Sequence, residues 1–393
     1  MTREDAVKNL LSRNVEEVIE EGHLRAAMNG TKKLRVKHGI DPTGPKIHIG
    51  RAVVLWKLRE FQDLGHKIVL VIGDFTAQIG DPSDKLEKRP FLSHEQVRKN
   101  LKGYLDQVGL ILDMKKVEVR YNSEWLKKLD FQQISQLAET FSVRQMIERK
   151  NFKGRWENHE EISLREFLYP LMQGYDSVAI KADLELGGTD QLFNMLAGRR
   201  IQEYYGQKPQ DVMTTKMVIG LDGRKMSTSW GNVVNVSDAP DEQFGRLMSL
   251  NDDLIAEYFE TVTGAAMSDV AAVRKALSAG RNPRDLKIEL ASSVVERYHG
   301  AAAASSAREK FEKLFSKKEV PADVPELKLK KGAMTALDLV VAAGAKSKSE
   351  GRRLIEQGAF DFNGKTEKDP GATLVLKGGE LIKLGKHRFF KVR

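Results

Sequence analysis

The segment DPTGPKIHIGR at 41–51 carries side chains that can bind phosphate. Thr43 and His48 can donate hydrogen bonds to phosphate oxygens whose charge grows in a transition state, and Gly50 lets a flat base approach the backbone. The segment lies between a predicted strand and a predicted helix, where backbone N–H groups and the helix dipole attract anions. On its own the His-x-Gly pattern also fits a capping histidine beside a packing glycine.

A second candidate is the pentapeptide KMSTS at 225–229, within the glycine-flanked segment GLDGRKMSTSWGN at 220–232. The flanking glycines predict a mobile loop. A lysine on such a loop, here Lys225, can close over a triphosphate and neutralise it as pyrophosphate leaves, which favours the transition state over the bound substrate. Taken in isolation, the pentapeptide also fits an ordinary surface loop.

A third candidate is the polar set Tyr169, Gln173 and Asp176 in the segment YPLMQGYDS. Their spacings of four and three place them on one stripe of a helix that could face a cleft. The alternative is a solvated helix face. It is weakened because the stripe interrupts an apolar segment and is followed by the turn GGTDQ at 187–191.

The elements that must position these residues follow an α/β pattern. LRVKHGI at 34–40 predicts a strand, helical spacing of apolar residues predicts a helix ending at Gly65, and IVLVI at 68–72 predicts a strand buried on both faces. A strand, crossover helix and parallel strand open a Rossmann-like, parallel-sheet nucleotide-binding domain.

The rest of the chain predicts helices and then a smaller α+β module. Pro240 fits a first helical position, and Leu286, Leu290 and Val294 keep a spacing of four. We expect a nucleotide-binding domain at 1–232, an α-helical domain at 233–315, a charged linker at 316–333 and a small α+β module at 334–393. In that module, Ser347 and Glu350 predict a capped helix, and Asn363-Gly364 predicts a hairpin turn.

Composition limits the class of protein. The 393 residues are 41% hydrophobic and 30% charged, which is typical of a folded globular chain. The absence of cysteine excludes disulfides, thiolate metal sites and a cysteine nucleophile. The first residues do not fit a signal peptide and no apolar run is long enough to span a bilayer, so we expect a cytoplasmic location without membrane contact. Five of the nine net positive charges lie in residues 334–393, where a basic face could bind nucleic acid.

Taken together and in this order, the first two motifs resemble the HIGH and KMSKS signatures of class I aminoacyl-tRNA synthetases. Other nucleotidyltransferases share a similar histidine turn and are the alternative. Two residues depart from the signatures: Arg51 replaces the second histidine, and Thr228 replaces the second lysine. Thr228 has no positive charge. Lys225, Lys85 or Arg89 would therefore supply more of the charge that neutralises the leaving pyrophosphate.

Over nearly its whole length the chain resembles the tyrosyl-tRNA synthetases. The pattern comprises the Asp-Pro-Thr turn at 41–43, IGDPS at 79–83, the stripe of Tyr169, Gln173 and Asp176, and GGxDQ at 187–191. The terminal module, with AKSKSEGRR at 345–353, resembles the S4 RNA-binding domain. This resemblance implies a tyrosine–tRNA ligase: ATP and tyrosine form tyrosyl-adenylate and pyrophosphate, and the tyrosyl group then moves to the terminal adenosine of tRNA(Tyr).

The resemblance also implies roles in tyrosine binding. Asp176 would accept a hydrogen bond from the phenolic hydroxyl, while Tyr169, Gln173 and Asp81 would hold the ammonium group. Gln191 would face the substrate carboxylate. Lys37 is also expected in the tyrosine site. It stands where many members of the family have a tyrosine at the pocket end of the first strand, so the second partner of the hydroxyl stays open.

For ATP and tRNA, the resemblance implies two further sets of residues. Catalysis would rest on Thr43, His48, Lys225 and Thr228. The full nucleotide site would comprise Gly39, Asp41, Pro42, Thr43, His48, Gly50, Arg51, Asp190, Lys225, Met226, Ser227, Thr228 and Ser229. The tRNA contacts would be Lys346, Lys348, Arg352 and Arg353.

The expected cofactors and partners follow from the same resemblance. Mg²⁺ would accompany ATP, with no dedicated metal site on the protein. A homodimer would form through an inserted segment at about 115–165. A catalytically retired synthetase-like scaffold that only binds RNA is the competing hypothesis, with Arg51 and Thr228 as marks of lost activity. Retention of the tyrosine stripe and of Lys225 speaks against it, because an RNA-binding protein needs neither.

Overall fold

The protein is described here by a computed structural model covering residues 2–42, 44–81, 94–316, 324–327, 329, 331–345, 347–385 and 388–393. It forms two compact units, Met1–Arg308 and Glu309–Arg393. Among the predicted site residues, Thr43 and Lys346 lie outside the described residues, as do Lys85 and Arg89.

A mixed sheet forms the centre of the first unit. Its strand order is β1-β6-β5-β2-β3-β4, in which β1 is antiparallel to β6 and the other neighbours are parallel. The predicted parallel-sheet α/β fold is therefore confirmed. The strands are β1 (Val15–Ile19), β2 (Arg35–Ile40), β3 (Lys67–Ile72), β4 (Glu118–Tyr121), β5 (Leu184–Gly188) and β6 (Asp211–Thr215).

Helices cover the sheet and continue beyond it. They are α1 (Arg3–Ser12), α2 (Glu21–Asn29), α3 (Ile49–Asp63), α4 (Thr76–Ile79), α5 (His94–Val108), α6 (Ser123–Leu126), α7 (Phe131–Ala138), α8 (Val143–Ile147), α9 (Lys150–Glu157), α10 (Leu164–Ile180), α11 (Leu192–Tyr204), α12 (Pro240–Leu247), α13 (Ile255–Val262), α14 (Met267–Ser278), α15 (Pro283–His299) and α16 (Ala301–Ser316). In the described part of the chain, no helix is long and apolar enough to cross a membrane.

The strand, helix and strand predicted at the start of the chain are β2, α3 and β3. Residues 68–72 of β3 are buried, as expected for an interior parallel strand covered on both faces. Leu58 and Phe61 of α3 are fully buried, and the helix ends at Asp63, two residues before the left-handed Gly65, whose φ is 89°.

The predicted helical region begins at α12, with Pro240 as its first residue. Leu286, Leu290 and Val294 on α15 are fully buried, which confirms the core face predicted from their spacing. Helix α15 packs on α12 and α13, and α13 packs on α3. The helical region therefore lies within the same compact unit as the sheet, and the proposed boundary at 232/233 is internal to that unit.

The second unit has its own core, formed around Leu339, Phe360 and Ile382. Its main sheet has the order β10-β9-β12-β13-β7, and β11 pairs with β8. The elements are β7 (Glu326–Leu327), β8 (Gly332–Thr335), α17 (Ala336–Ala342), α18 (Lys348–Glu356), β9 (Phe360–Phe362), β10 (Lys365–Thr366), β11 (Thr373–Leu376), β12 (Leu381–Leu384) and β13 (Arg388–Val392).

Two local predictions for this unit are confirmed. The Ser347 side chain accepts a hydrogen bond from the Glu350 backbone N–H and caps α18. Asn363 and Gly364 adopt positive φ values of 47° and 79° in the turn between β9 and β10. Part of the segment predicted as a linker also forms β7, because Leu327 and Leu329 pack against the core of this unit.

Candidate active site

The candidate site lies at the carboxyl edge of the parallel strands. β2 leads into the Asp-Pro-Thr turn, β3 into the turn at Gly73, and β5 into the Thr189–Gln191 turn. Ligands in open α/β sheets bind at this edge, because the loops after neighbouring parallel strands meet there. A Cβ on Gly39, near the end of β2, would meet no atom within 4 Å, so open space adjoins the backbone.

Asp41 joins the Asp-Pro-Thr turn to two other elements. Its Oδ1 accepts a hydrogen bond from Thr76 Oγ1, and its Oδ2 accepts one from Tyr169 Oη, each at 2.8 Å. A Cβ on Gly73 would lie 1.8 Å from Asp41 Oδ1, so only glycine fits there. The next residue, Pro42, is buried, and its carbonyl accepts a hydrogen bond from Asn100 at 2.9 Å.

His48 is the N-cap of α3. Its Nδ1 accepts a hydrogen bond from the backbone N–H of Arg51 at 3.3 Å. This bond assigns the ring proton to Nε2, which is the atom that can donate to phosphate. The backbone N–H of Ile49 donates to Val234 O at 2.8 Å, so the cap is tied to the segment that follows residues 220–232, here called the lysine loop.

The lysine loop is anchored by the buried side chain of Asn232. Its Oδ1 accepts from the Ser227 backbone N–H at 2.8 Å, and its Nδ2 donates to the carbonyl of Lys225 at 3.1 Å and to Asp222 Oδ1 at 2.8 Å. Lys225 and Thr228 are exposed, whereas Met226 is buried against Gly50 of the first motif. The side chain of Ser229 lies outside the described residues.

The predicted polar stripe lies on α10, and it is buried rather than solvated. Tyr169, Gln173 and Asp176 are 5%, 9% and 3% exposed. Burial and the neighbouring Asp41 carboxylate hold the pKa of the Tyr169 hydroxyl well above its usual value, so it stays protonated and donates. The structure therefore brings the stripe and the Asp-Pro-Thr turn together.

Asp176 forms the polar end of this stripe. Its Oδ1 accepts a hydrogen bond from Trp125 Nε1 at 2.8 Å, and its Oδ2 lies 3.4 Å from Asn122 Nδ2. Burial raises the pKa of Asp176 to about 7, and the Lys37 ammonium together with these two donors opposes the rise. The carboxyl is therefore poised between its charged and neutral forms near neutral pH.

Lys37 is fully buried behind the stripe. Its Nζ lies 3.0 Å from Glu185 Oε1, and it donates to Ser177 Oγ at 2.7 Å and to the Gln173 carbonyl at 2.8 Å. Glu185 is 1% exposed and also accepts a hydrogen bond from Gln173 Nε2 at 3.2 Å. The three donor positions of the ammonium are thus occupied by protein groups, which places Lys37 as a support of α10.

Gln191 and Asp81 meet at the other end of the stripe. Gln191 Nε2 donates to Asp81 Oδ2 at 2.7 Å. Asp190, beside them in the Thr189–Gln191 turn, is exposed. A Cβ on Gly188 would lie 2.6 Å from Asp190 Oδ1, so this glycine permits the turn.

Sequence reasoning missed several residues that line or support this region. Asn122 and Trp125 follow β4, and Gly73 and Thr76 follow β3, which is the position that parallel-sheet topology gives to ligand-binding loops. Parallel-sheet topology was therefore the signal that could have identified these four residues. No such signal exists for Glu185, because a single acidic residue in an apolar strand does not disclose its partner. Among the described residues, no group of three or more His, Asp or Glu could hold a metal ion.

Three of the four residues expected to contact tRNA lie on one helix of the second unit. Lys348, Arg352 and Arg353 are exposed on α18, whereas Gly351 and Ile355 are buried. The basic side chains therefore share the solvent side of α18, next to its N-terminus.

Comparison with known proteins identifies relatives along the whole chain. Residues 28–316 match the family described as tRNA synthetases class I (W and Y). The chain is 46% identical to the tyrosine–tRNA ligase of Thermotoga maritima over 395 residues, covering 100% of this chain and 98% of the relative. It is 43% identical to the tyrosine–tRNA ligase of Moorella thermoacetica, covering 98% and 94%.

Solved structures share the fold at lower identity. A C-terminally truncated mitochondrial tyrosyl-tRNA synthetase of Aspergillus nidulans superposes with a TM-score of 0.65 and 20% identity, covering 79% of this chain and 94% of that one. A tyrosyl-tRNA synthetase of Archaeoglobus fulgidus, complexed with L-tyrosine, gives 0.61 and 22%, covering 78% and 100%.

Proposed function

The chain belongs to the class I tRNA synthetases of the tryptophan and tyrosine family, and within it to the tyrosine–tRNA ligases, and we propose that the cleft at the carboxyl edge of the sheet is its active site. The enzyme activates tyrosine with ATP and transfers the tyrosyl group to tRNA(Tyr). The site assignment rests on one observation. Tyr169 and Asp176 lie on the buried stripe of α10, and Tyr169 donates a hydrogen bond to Asp41 of the first motif.

In this proposal the amino acid lies along α10. Asp176 accepts a hydrogen bond from the phenolic hydroxyl, and Trp125 and Asn122 orient its carboxylate. A phenylalanine would leave the buried Asp176 without that partner, which is costly and favours tyrosine. Gln173, Tyr169 and Asp81 face the ammonium group, and Gln191 faces the carboxylate. Lys37 supports α10 behind the pocket, and Asp176 rather than Lys37 binds the phenolic hydroxyl.

The nucleotide lies between the N-terminus of α3 and the lysine loop. The tyrosine carboxylate attacks the α-phosphorus in line, the bond to the β-phosphate oxygen breaks, and pyrophosphate leaves. His48 Nε2–H donates to the developing charge, and Lys225 neutralises the leaving group. Thr43, Thr228, Arg51 and the residues around Met226 and Ser229 complete the expected nucleotide site. Mg²⁺ would enter with the phosphates of ATP and supply further neutralisation.

Transfer to tRNA involves the second unit. We assign it as an S4-like RNA-binding module, in which Lys348, Arg352 and Arg353 on α18 contact the phosphate backbone, together with Lys346, which precedes them in the sequence. The cytoplasm is the proposed location.

We also propose a homodimer formed through residues 115–165. Large apolar side chains in this segment are exposed: Phe131 by 85%, Leu164 by 78%, Val143 by 63% and Trp156 by 58%. Exposed apolar side chains of this size are typical of an interface. Sedimentation should give a dimer at micromolar concentration, and the Leu164→Glu variant should shift it toward monomer; a wild-type monomer contradicts the proposal.

The activity is tested by exchange of labelled pyrophosphate into ATP, with tyrosine, phenylalanine or tryptophan and no tRNA. Exchange with tyrosine alone is expected. It would establish the activation step and show that Arg51 and Thr228 are tolerated. Silence with all three amino acids in folded, ATP-binding protein would favour the retired RNA-binding scaffold instead.

A further inference from the structure

Arg149 is a buried cation at the turn between α8 and α9. It is 8% exposed, and its guanidinium stacks over the rings of Phe152 and Phe193, at 5.2 and 4.1 Å from their centroids. Stacking satisfies the faces of a guanidinium but leaves its in-plane N–H groups in need of acceptors.

The charge of Arg149 has no ion-pair partner among the described residues. Its Nη2 donates to Asn194 Oδ1 at 3.2 Å, and its Nη1 is buried without a hydrogen-bond partner in that part of the chain. Burial lowers the pKa of Arg149 to about 10, with the Asp81 charge acting against it, so it remains a cation at neutral pH. Arg155 on α9 is as buried but is neutralised by Glu166, with Nη1 and Oε2 2.6 Å apart. An uncompensated buried cation is therefore a local property of Arg149.

A short hydrogen-bond chain connects Arg149 to the amino-acid end of the cleft. Asn194 accepts from the guanidinium and donates through Nδ2 to Gln191 Oε1 at 3.1 Å. Gln191 in turn donates to Asp81 at 2.7 Å. Each amide is oriented by its neighbour, so the position of Arg149 determines which way Gln191 presents its N–H group.

We propose that Arg149 is a positioning residue that, acting through Asn194 and Gln191, prepares the amino-acid end of the cleft for the substrate carboxylate. The inference rests on the proposed function, in which Gln191 faces the carboxylate and Asp81 faces the ammonium group. Asp81 alone would repel a carboxylate. A buried positive charge behind Gln191 offsets that repulsion, and the incoming carboxylate supplies the negative charge that Arg149 lacks.

The test compares two ligands that differ only at the carboxylate. Calorimetry would measure binding of tyrosine and of tyrosinol, in which an alcohol replaces the acid, to wild type and to Arg149→Gln. We expect tyrosine to bind at least about tenfold more weakly to the variant and tyrosinol to change less than about twofold, with the KM for ATP unchanged. Arg149→Lys, which keeps the charge, should recover part of the tyrosine affinity.

A second variant and a control guard against a folding artefact. Asn194→Asp keeps the volume of the side chain but neutralises Arg149, and it should weaken tyrosine selectively as well. Arg200→Gln is the control: Arg200 is exposed and stacks over Phe141 at 4.7 Å, and we expect no selective loss.

The outcomes distinguish a failure of the role proposed for Arg149 from a failure of the proposed function. Equal weakening of tyrosine and tyrosinol by Arg149→Gln and Asn194→Asp would show a merely structural role and overturn the inference, as would no weakening of either ligand. Failure of the wild type to bind tyrosine would instead overturn the proposed function.

Discussion

Gly50 of the first motif lies directly against Met226 of the lysine loop. A Cβ built on Gly50 would lie 2.9 Å from the Met226 sulfur and 3.1 Å from His48 Nδ1. The two signature segments, distant in sequence, therefore touch through a glycine and a buried thioether. This contact couples the N-terminus of α3 to the position of Lys225.

We expect Gly50→Ala to displace the lysine loop. The added methyl group must push Met226 or His48 aside, so the KM for ATP should rise on the order of tenfold while tyrosine affinity is kept. Pyrophosphate exchange at varied ATP measures the effect. The double variant Gly50→Ala, Met226→Ala should recover most of it, and Gly103→Ala on α5, where a Cβ meets nothing within 4 Å, is the matched control. Unchanged KM in Gly50→Ala would show that the contact has no functional weight.

His48 has two separable tasks, capping α3 and donating to phosphate. His48→Ala should lower the rate of adenylate formation by about 100-fold. Tyrosine binding should be nearly unchanged, while the lost cap should cost about 1 kcal/mol of stability. Stopped-flow adenylate formation and urea denaturation measure the two effects. His48→Asn retains a capping oxygen and an N–H donor, so it should recover the stability fully and the rate in part. Equal losses of rate and tyrosine binding would make His48 purely structural.

Much of the fold was predictable because its signals are local. The buried strand at 68–72, Pro240 at the start of α12 and the Asn363-Gly364 turn each depend on a few neighbouring residues. The strand β7 was not predicted, because two residues between prolines and lysines are too few to show the alternation of hydrophobic and polar residues that marks a strand. Its stability comes from pairing with β13, a partner distant in sequence.

The candidate site was predictable only where the spacing of residues along one helix or strand places them on the same face. Tyr169, Gln173 and Asp176 follow helical spacing, so their shared face was clear from the sequence. Trp125, which completes the surroundings of Asp176, follows a different strand, and its role depends on the sheet order. Lys37 was expected at the substrate, but its distant partner Glu185 holds it behind the pocket.

The Lys37–Glu185 pair should be costly to break from either side. Lys37→Met leaves a carboxylate buried without its cation, and Glu185→Gln leaves the ammonium uncompensated, so each should lose about 3 to 5 kcal/mol of unfolding free energy. The double variant Lys37→Met, Glu185→Gln should recover much of that loss. Urea denaturation of the four proteins gives the coupling energy. Strictly additive losses would mean that the two side chains do not act as a pair.

The basic face of α18 should contribute salt-dependent affinity for tRNA. Each of Lys348→Ala, Arg352→Ala and Arg353→Ala should reduce the slope of log affinity against log salt by up to about one. Filter binding at several salt concentrations measures this slope. Tyrosine-dependent pyrophosphate exchange without tRNA should be unchanged, whereas an unaltered slope in all three variants would remove α18 from the tRNA contact.

Asp176 should make both stability and tyrosine binding depend on pH. Its pKa in the fold is raised from 3.8 to about 7, so folding favours the protonated form, and the stability this confers is lost as pH rises from about 4 to about 7. Asp176→Asn, which cannot ionise, should therefore be more stable than wild type at pH 8 by about 2 to 4 kcal/mol, with a smaller difference at pH 4.5.

Binding should follow the opposite trend. The charged carboxylate is the stronger acceptor for the phenolic hydroxyl, so the wild-type Kd for tyrosine should fall as pH rises through about 7. Calorimetry between pH 5.5 and 8.5 measures this, and Asp176→Asn should bind tyrosine more weakly with a flat profile. Trp125→Phe removes a donor that stabilises the carboxylate, so in this variant the Kd for tyrosine should fall at a higher pH than in wild type. A transition that stays in place in Trp125→Phe would show that another group titrates, and Asp176 would lose its assigned role as the pH-sensitive acceptor.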